Sequence, residues 1–279
     1  MVELRYHIPR TDLRDYVRAY YYYSTDIPSS EPLCAELGNI RVLLRGGGML
    51  QLPGGEIERG MSAFLLGPTL GSYNMLVEPN TQVFGIGIRP KGWNALFGVG
   101  ADELSDRAVD LTAFGGGILR STIDQIRNAR NLAEMSAAAD CFFIDLLTKR
   151  IKRISQRYPA ALADWLLNPN DLALDDLISA MDVSRRQTDR LAKLYFGASP
   201  KYLQRKYRAL RSADRIRSGE TQWMNAAGAD YYDQSHFIKE FKTFIGVTPK
   251  QFISNQAPLI SQIQQTRQRS MFQIPLASF

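Results

Sequence analysis

Between Ser184 and Arg217 the chain places 11 Lys and Arg against 2 Asp and Glu, a net +9 within 34 residues. The start of this stretch carries Arg185, Arg186, Gln187, Arg190 and Lys193. These side-chain types suit nucleic-acid contact, because Arg forks onto guanine, Gln onto adenine, and cations of one sign neutralise phosphates. A solvated helix face normally mixes signs, and here the excess is one-sided. A second polar group, Gln234, Ser235, His236, Lys239 and Glu240, follows Asp233. His236 has no second His or carboxylate triad beside it in sequence, so it reads as a polar contact and not a catalytic base. A third group, Arg10, Arg14 and Arg18, is spaced by four. If Thr11 to Tyr22 is helical, with Leu13, Tyr16, Val17 and Tyr20 at helical spacing, the three lie near one face. Such a stripe reads first as a solvated surface helix partly neutralised by Asp12 and Asp15; the alternative is an anion site, because Arg forks match phosphate geometry.

The elements that must present the first group are short. Asp175 to Met181 reads as a helix, Asp182-Val183 as a turn and Ser184 as the N-cap of the next helix, with Gln187 three residues on completing a capping box. Gly197 ends that helix, Pro200 opens another, and this linker helix runs basic to Arg217. The pattern then recurs: Trp223 to Ala229 as a short helix, Asp230 to Tyr232 as a turn, and Asp233 as N-cap of a helix with Phe237, Phe241 and Phe244 on its buried stripe and the polar group, Glu240 included, facing outward. Helix, turn and capped helix make a helix-turn-helix, whose second helix enters the major groove. A linker helix of about 17 residues spans ~25 Å, compatible with two such helices one duplex turn apart, ~34 Å.

Upstream the punctuation differs. Short apolar runs (Ile40 to Leu44, Met49 to Leu52, Ala63 to Leu66, Val83 to Ile88) are separated by Gly and Pro clusters, which predicts a small β barrel or sandwich. Gly46-Gly47-Gly48 lacks the Lys-Ser/Thr of a phosphate-binding loop and reads as a turn, while Gly85-Ile86-Gly87 has Pro90 in the third glycine position of a dinucleotide fingerprint and reads as structural. From Leu119 to Tyr158 apolar residues recur at three and four, predicting two long amphipathic helices that pack on the barrel or form a dimer seam. Pro159 and Asn168-Pro169-Asn170 break the pattern and place a domain boundary.

Composition closes off other classes. The 279 residues carry +6 overall, with 18 basic and 17 acidic side chains in 1–160 and 16 and 11 in 161–279. Two Cys (Cys34, Cys141) and two His (His7, His236) are too few for a disulfide framework or a Cys/His zinc cluster, so no metal site and no catalytic residue is expected. The charged N-terminus and the lack of a long apolar stretch predict a soluble cytoplasmic protein without a membrane span.

The stretch from Asp233 through His236, Phe237, Phe241, Gly246, Thr248 and Pro249 to Phe252 closely resembles the C-terminal signature of AraC/XylS-type transcriptional regulators, which carry two helix-turn-helix motifs joined by a linker helix. Arg89 to Val99 followed by Glu103 to Arg107 is similar to that family's hinge from a barrel into helices. The sequence departs from the pattern at Asp230, Asn225, Thr188 and Ala192, and the small Ala192 predicts either refilling by neighbours or a weakly stable DNA-binding unit. Arg10-x-x-x-Arg14 ahead of a barrel is similar to the cyclic di-GMP signature of PilZ domains, whose second motif is not apparent.

Together these readings predict an α+β protein: a small cupin-like β-barrel sensor with following helices over residues 1–158, an all-α double helix-turn-helix over 170–255, and a tail over 256–279. The resemblance implies an effector-responsive, sequence-specific regulator, an activator in the first instance, that binds promoter DNA as a homodimer and contacts RNA polymerase. It is not an enzyme and requires no cofactor. Its effector is cyclic di-GMP if the Arg10/Arg14/Arg18 stripe forms, or else a sugar or fatty acid. The alternative is a small-molecule-binding protein whose helix-turn-helix serves protein contacts.

Overall fold

Alternation of side chains along the predicted strands sorts the N-terminal half into layers. In the computed structural model, which describes residues 2–55, 57–111, 117–150, 157–168, 173–220, 222, 231 and 233–254, the strands are β1 (Val2–His7), β2 (Val17–Thr25), β3 (Ser29–Leu33), β4 (Asn39–Arg45), β5 (Gly48–Gln51), β6 (Ile57–Arg59), β7 (Ala63–Leu66), β8 (Tyr73–Val77), β9 (Thr81–Ile88) and β10 (Ala108–Asp110). They form two antiparallel sheets, six strands in the order β1-β2-β9-β4-β7-β10 and four in the order β3-β8-β5-β6. The expected single barrel is therefore two sheets that do not close into one ring. Tyr23, Leu33, Leu50, Leu66, Tyr73 and Val77 form the core between them.

The opposite face of the six-stranded sheet carries Ile40, Val42, Leu65, Phe84 and Ile86, the period-two partners of the residues facing the other sheet. It is covered by α1 (Pro90–Phe97), α2 (Gly117–Asn128) and α3 (Leu132–Arg150). The apolar stripe of the helical pair, with Ile123, Ile126, Met135, Ala139, Phe143 and Leu147, is thus used against the sheet. The second helix is described as far as Arg150; Ile151 and Ile154 lie outside the described residues.

Close approach requires glycine at several positions, Gly46 and Gly85 among them. Gly46 turns β4 into β5 at φ +77°, where a Cβ would lie 2.4 Å from Thr81 Oγ1. Gly85 lies opposite Tyr21 in the β2/β9 register, and a Cβ there would fall 1.8 Å from the Tyr21 ring, which crosses the strand. Gly85-Ile86-Gly87 lies within β9, which ends at Ile88; the strand does not continue through Pro90, which begins α1.

The predicted helix over Thr11 to Tyr22 does not form. Thr11–Leu13 is a single 3₁₀ turn and Val17 begins β2, whose tyrosines pair with β9 and with β1. Tyr and Val favour strand, and a spacing of four residues places side chains on one face of a strand as well as of a helix.

The C-terminal half is helical: α4 (Arg157–Leu167), α5 (Leu174–Met181), α6 (Arg185–Phe196), α7 (Pro200–Arg217), α8 (Gln234–Ile245) and α9 (Pro249–Ile253). Pro159 sits in the first turn of α4, where its missing N–H leaves no bond unmade. The buried side chains of α4, Leu162, Trp165 and Leu166, join the C-terminal core with Leu177, Met181, Leu191, Tyr207 and Phe237. Ala192 is fully buried in this same cluster, which the large α4 side chains help to fill. Among the described residues no helix is long and apolar enough to cross a membrane.

Candidate nucleic-acid interface

Capping fixes where the first recognition helix begins. Met181 ends α5, Asp182 takes the left-handed conformation at φ +54°, and Ser184 Oγ accepts from Gln187 N at 3.3 Å, the backbone half of the expected capping box. Gly197, left-handed at φ +87°, closes α6. Its inner face is Thr188, Leu191, Ala192, Tyr195 and Phe196, so helical geometry sends Arg185, Arg186, Gln187, Arg190 and Lys193 outward, and all five are exposed. Lys193 is held by Asp189 at 2.8 Å, one turn back. Arg185, Arg186 and Gln187 fill the first turn of α6, the end that meets base edges in this architecture.

The second helix repeats the device. Asp233 Oδ1 accepts from His236 N at 2.8 Å as N-cap of α8. Phe237, Phe241 and Phe244 are fully buried, as the stripe predicts, with Phe237 and Phe241 edge to face at 5.6 Å. Gln234, Ser235, His236 and Lys239 are exposed. Glu240, expected to face outward, is instead 1% exposed. Arg205 and Arg208 of α7 bind its carboxylate, Arg208 at 3.3 Å, and His236 Nε2 lies 3.4 Å away. Position 240 is three residues from Phe237 and four from Phe244, so it falls on the buried stripe; its carboxylate ties the second recognition helix to the linker helix. The short helix expected over Trp223 to Ala229, the departures at Asn225 and Asp230, and the 256–279 tail lie outside the described residues.

The N-terminal domain grips all three of these helices. Ala101 N donates to Leu194 O at 2.8 Å and Ser105 Oγ to Gly197 O at 3.2 Å, at the end of α6. Ala35 N and Ser72 N donate to Phe244 O and Thr243 O at 2.7 and 2.9 Å, at the end of α8. On α7, Tyr202 Oη donates to Leu70 O at 2.9 Å, and Lys206 Nζ donates to Glu36 O at 2.9 Å and Thr69 O at 2.7 Å. Lys206 is 1% exposed, and burial pushes its amine down to about 8, against the opposing pull of Asp106 and Glu36. Sequence patterning missed Lys206 because it reads as one more cation of a basic helix.

The other site the sequence missed lies between the sheets. A cavity of about 430 Å³ opens there, lined by Leu43, Met49, Phe64, Met75 and Val83, with Arg41 as its buried charge. Arg41 donates through Nη2 to Glu36 Oε1 and Tyr73 Oη, both at 2.6 Å, and through Nε to Tyr21 Oη at 3.1 Å. Tyr73 also donates to Glu36. Burial works against the Arg41 charge, but Tyr21, Tyr73 and Glu36 outweigh it and the guanidinium stays protonated. A lone Arg inside the apolar run Ile40 to Leu44 was the available signal.

The Arg10, Arg14 and Arg18 set does not share a helix face. Arg10 pairs with Asp12 at 3.1 Å, Arg14 Nε donates to Pro9 O at 3.1 Å, and Arg18 lies on β2. The helical stripe that motivated an anion site is replaced by a turn and a strand. Among the described residues no group of three or more His, Cys, Asp or Glu is placed to hold a metal ion.

Residues 177–255 match the family described as a helix-turn-helix domain, and residues 5–110 match the family described as a domain of unknown function, DUF6597. None of the curated proteins matches the chain. Among solved structures the chain is similar to ToxT from Vibrio cholerae, at 12% identity over 84% of this chain and 97% of that one, with a TM-score of 0.49. It is also similar to unsaturated fatty acid bound wild-type ToxT from Vibrio cholerae strain SCE256, at 13% identity over 88% and 96%, TM-score 0.46, and to the AraC-like transcriptional activator CuxR, at 11% identity over 78% and 86%, TM-score 0.30. With two capped, outward-facing helices braced by a linker helix, the chain carries a helix-turn-helix domain of the AraC type at its C-terminal end, behind an N-terminal DUF6597 domain.

Proposed function

We propose that the protein is an effector-responsive transcription regulator that binds promoter DNA through the exposed faces of α6 and α8. The observation that carries this reading is the outward placement of Arg185, Arg186, Gln187 and Arg190 on a capped helix whose other face is buried core. Arg and Gln at the N-terminal end of such a helix are positioned for base edges and flanking phosphates. Gln234, Ser235, His236 and Lys239 supply the second contact.

The effector belongs in the cavity between the sheets. Its volume is within the range of small-molecule sites, and an apolar wall with a few convergent polar groups is the usual construction of one. Effector occupancy acts on DNA binding by shifting the population of domain arrangements that can engage both half-sites. Activation through RNA polymerase and assembly as a homodimer complete the proposal; because the stripe of α2 and α3 is used on the sheet, a dimer draws on other surface, and sedimentation of the full chain measures it.

Selection from a random duplex pool tests the reading. The full chain enriches a motif, and Arg186→Ala weakens binding to it by roughly 1–3 kcal/mol if Arg186 reads a base. Failure to enrich any motif, with affinity indifferent to salt, points instead to a helix-turn-helix unit that serves protein contacts.

A further inference from the structure

We infer that the cavity takes an uncharged, mainly apolar ligand carrying one carbonyl-type acceptor, that this acceptor bonds Arg41 Nη1, and that occupancy is relayed through Glu36 to Lys206 of the linker helix. This rests on the effector reading above and specifies its chemistry and its route.

The polar geometry selects the ligand class. Of the three Arg41 nitrogens, Nη2 and Nε are bonded to oxygens, whereas Nη1, among the described residues, meets only Met75 Sδ, at 3.7 Å. A thioether is a weak acceptor, so a buried charged donor on the cavity wall is left underused, and an incoming oxygen improves it. The charge is already balanced, because Glu36 Oε1 sits 2.6 Å from Nη2. A second carboxylate would bring an uncompensated negative charge into an apolar cavity beside Glu36, unless Glu36 withdrew. Glu36 is held on both sides: its carboxylate accepts from Arg41 Nη2 and Tyr73 Oη, and its backbone N–H donates to Thr69 Oγ1 at 2.8 Å while its carbonyl accepts from Thr69 N at 3.1 Å and from Lys206 Nζ. Glu78 adds a further negative side chain to the lining. A neutral acceptor needs no such rearrangement.

The relay follows from one residue facing two ways. The Glu36 side chain is held by Tyr73 and by Arg41, which itself lines the cavity, and the Glu36 carbonyl holds Lys206 at the domain contact. A ligand that fixes Arg41 fixes Glu36, and with it the Glu36–Thr69 pair of carbonyls on which the linker helix docks. Occupancy therefore tightens the hold of the N-terminal domain on α7.

Two fluorescent probes test the assignment on the full chain: Nile red, neutral with a carbonyl acceptor, and cis-parinaric acid, a carboxylate on an apolar chain. Wild type binds Nile red with blue-shifted emission and parinarate about tenfold or more weakly. Met49→Trp, which fills the cavity and leaves the Arg41 bonds alone, weakens Nile red about tenfold or more. Glu36→Gln removes the competing charge and tightens parinarate relative to Nile red. Hydrogen exchange of peptides spanning residues 200–206 slows when Nile red binds wild type and does not slow in Glu36→Gln. Equal binding of both probes by wild type, no Nile red binding, or Nile red binding unmoved by Met49→Trp overturns the ligand assignment; unchanged exchange in α7 with the cavity occupied overturns the relay. None of these readouts contains DNA, so they stand or fall separately from promoter binding.

Discussion

Lys206→Met keeps most of the side-chain volume and removes a buried charge that spans the domain contact. In the folded chain burial lowers the Lys206 amine to about 8 from an ordinary value of 10.5. Below about pH 8 both folded and unfolded chains hold the proton, and the folded state bears the full cost of burying it. As pH rises from about 8 toward 10.5 the folded chain releases the proton while the unfolded chain keeps it, so stability increases with pH. At 1.36 kcal/mol for each tenfold step, the gap corresponds to about 3 kcal/mol. Near pH 7 the Met variant sheds that cost but leaves the carbonyls of Glu36 and Thr69 without the Lys206 donor, at ~1–3 kcal/mol each, so the two chains have similar stability there. Urea unfolding followed by tryptophan fluorescence, for both chains at several pH values, separates this residue from all other titrating groups. Wild type gains about 3 kcal/mol on Lys206→Met between neutral pH and about pH 10.5. A difference that stays constant across that range refutes the buried, docked position of Lys206, and with it the domain contact.

Three further outcomes follow from the geometry. Glu240→Ala leaves Arg205 and Arg208 without their buried carboxylate and, with both guanidiniums able to reach solvent, lowers stability by about 1–3 kcal/mol, whereas Lys239→Ala, exposed one residue away, changes it by less than about 0.5 kcal/mol; denaturant titration compares the two. Gly85→Ala drives a Cβ into the Tyr21 ring and costs about 1–3 kcal/mol, seen as a lower melting temperature, together with weakened Nile red binding as Tyr21 moves off Arg41 Nε. Calorimetry with cyclic di-GMP on wild type and Arg14→Ala examines the Arg10/Arg14/Arg18 set on its own: with no shared helix face, wild type gives no heat of binding, and heat abolished by Arg14→Ala would restore those residues as an anion site.

What could be read from the sequence was what is local. Ser184, Gly197, Asp233 and the Phe237/Phe241/Phe244 stripe announce their helices within one or two turns, and each took its expected position. The short apolar runs became strands for the same reason. Tyr16 and Tyr20 misled because a separation of four suits both periods; the tyrosine run beyond them, paired across to β9, decides for strand. The residues that make the domain contact and brace the second recognition helix were not legible, since their partners are distant in sequence: Lys206 meets Glu36 across 170 positions and Arg205 meets Glu240 across 35. A charge on a basic helix and a carboxylate on a recognition helix look exposed until the fold brings another element over them.

The proposed function places the outward face of α6 against DNA. The measurement that tests it most directly is the dependence of duplex affinity on salt for wild type and for the triple variant Arg185→Ala, Arg186→Ala, Arg190→Ala, followed by anisotropy of a labelled duplex. Each phosphate neutralised contributes about 0.9 to the slope of log affinity against log salt. Wild type gives a steep slope that falls by between about 1 and 3 in the variant, with the melting temperature unchanged because all three side chains are exposed. A wild-type slope near zero, or an identical slope in the variant, contradicts that placement.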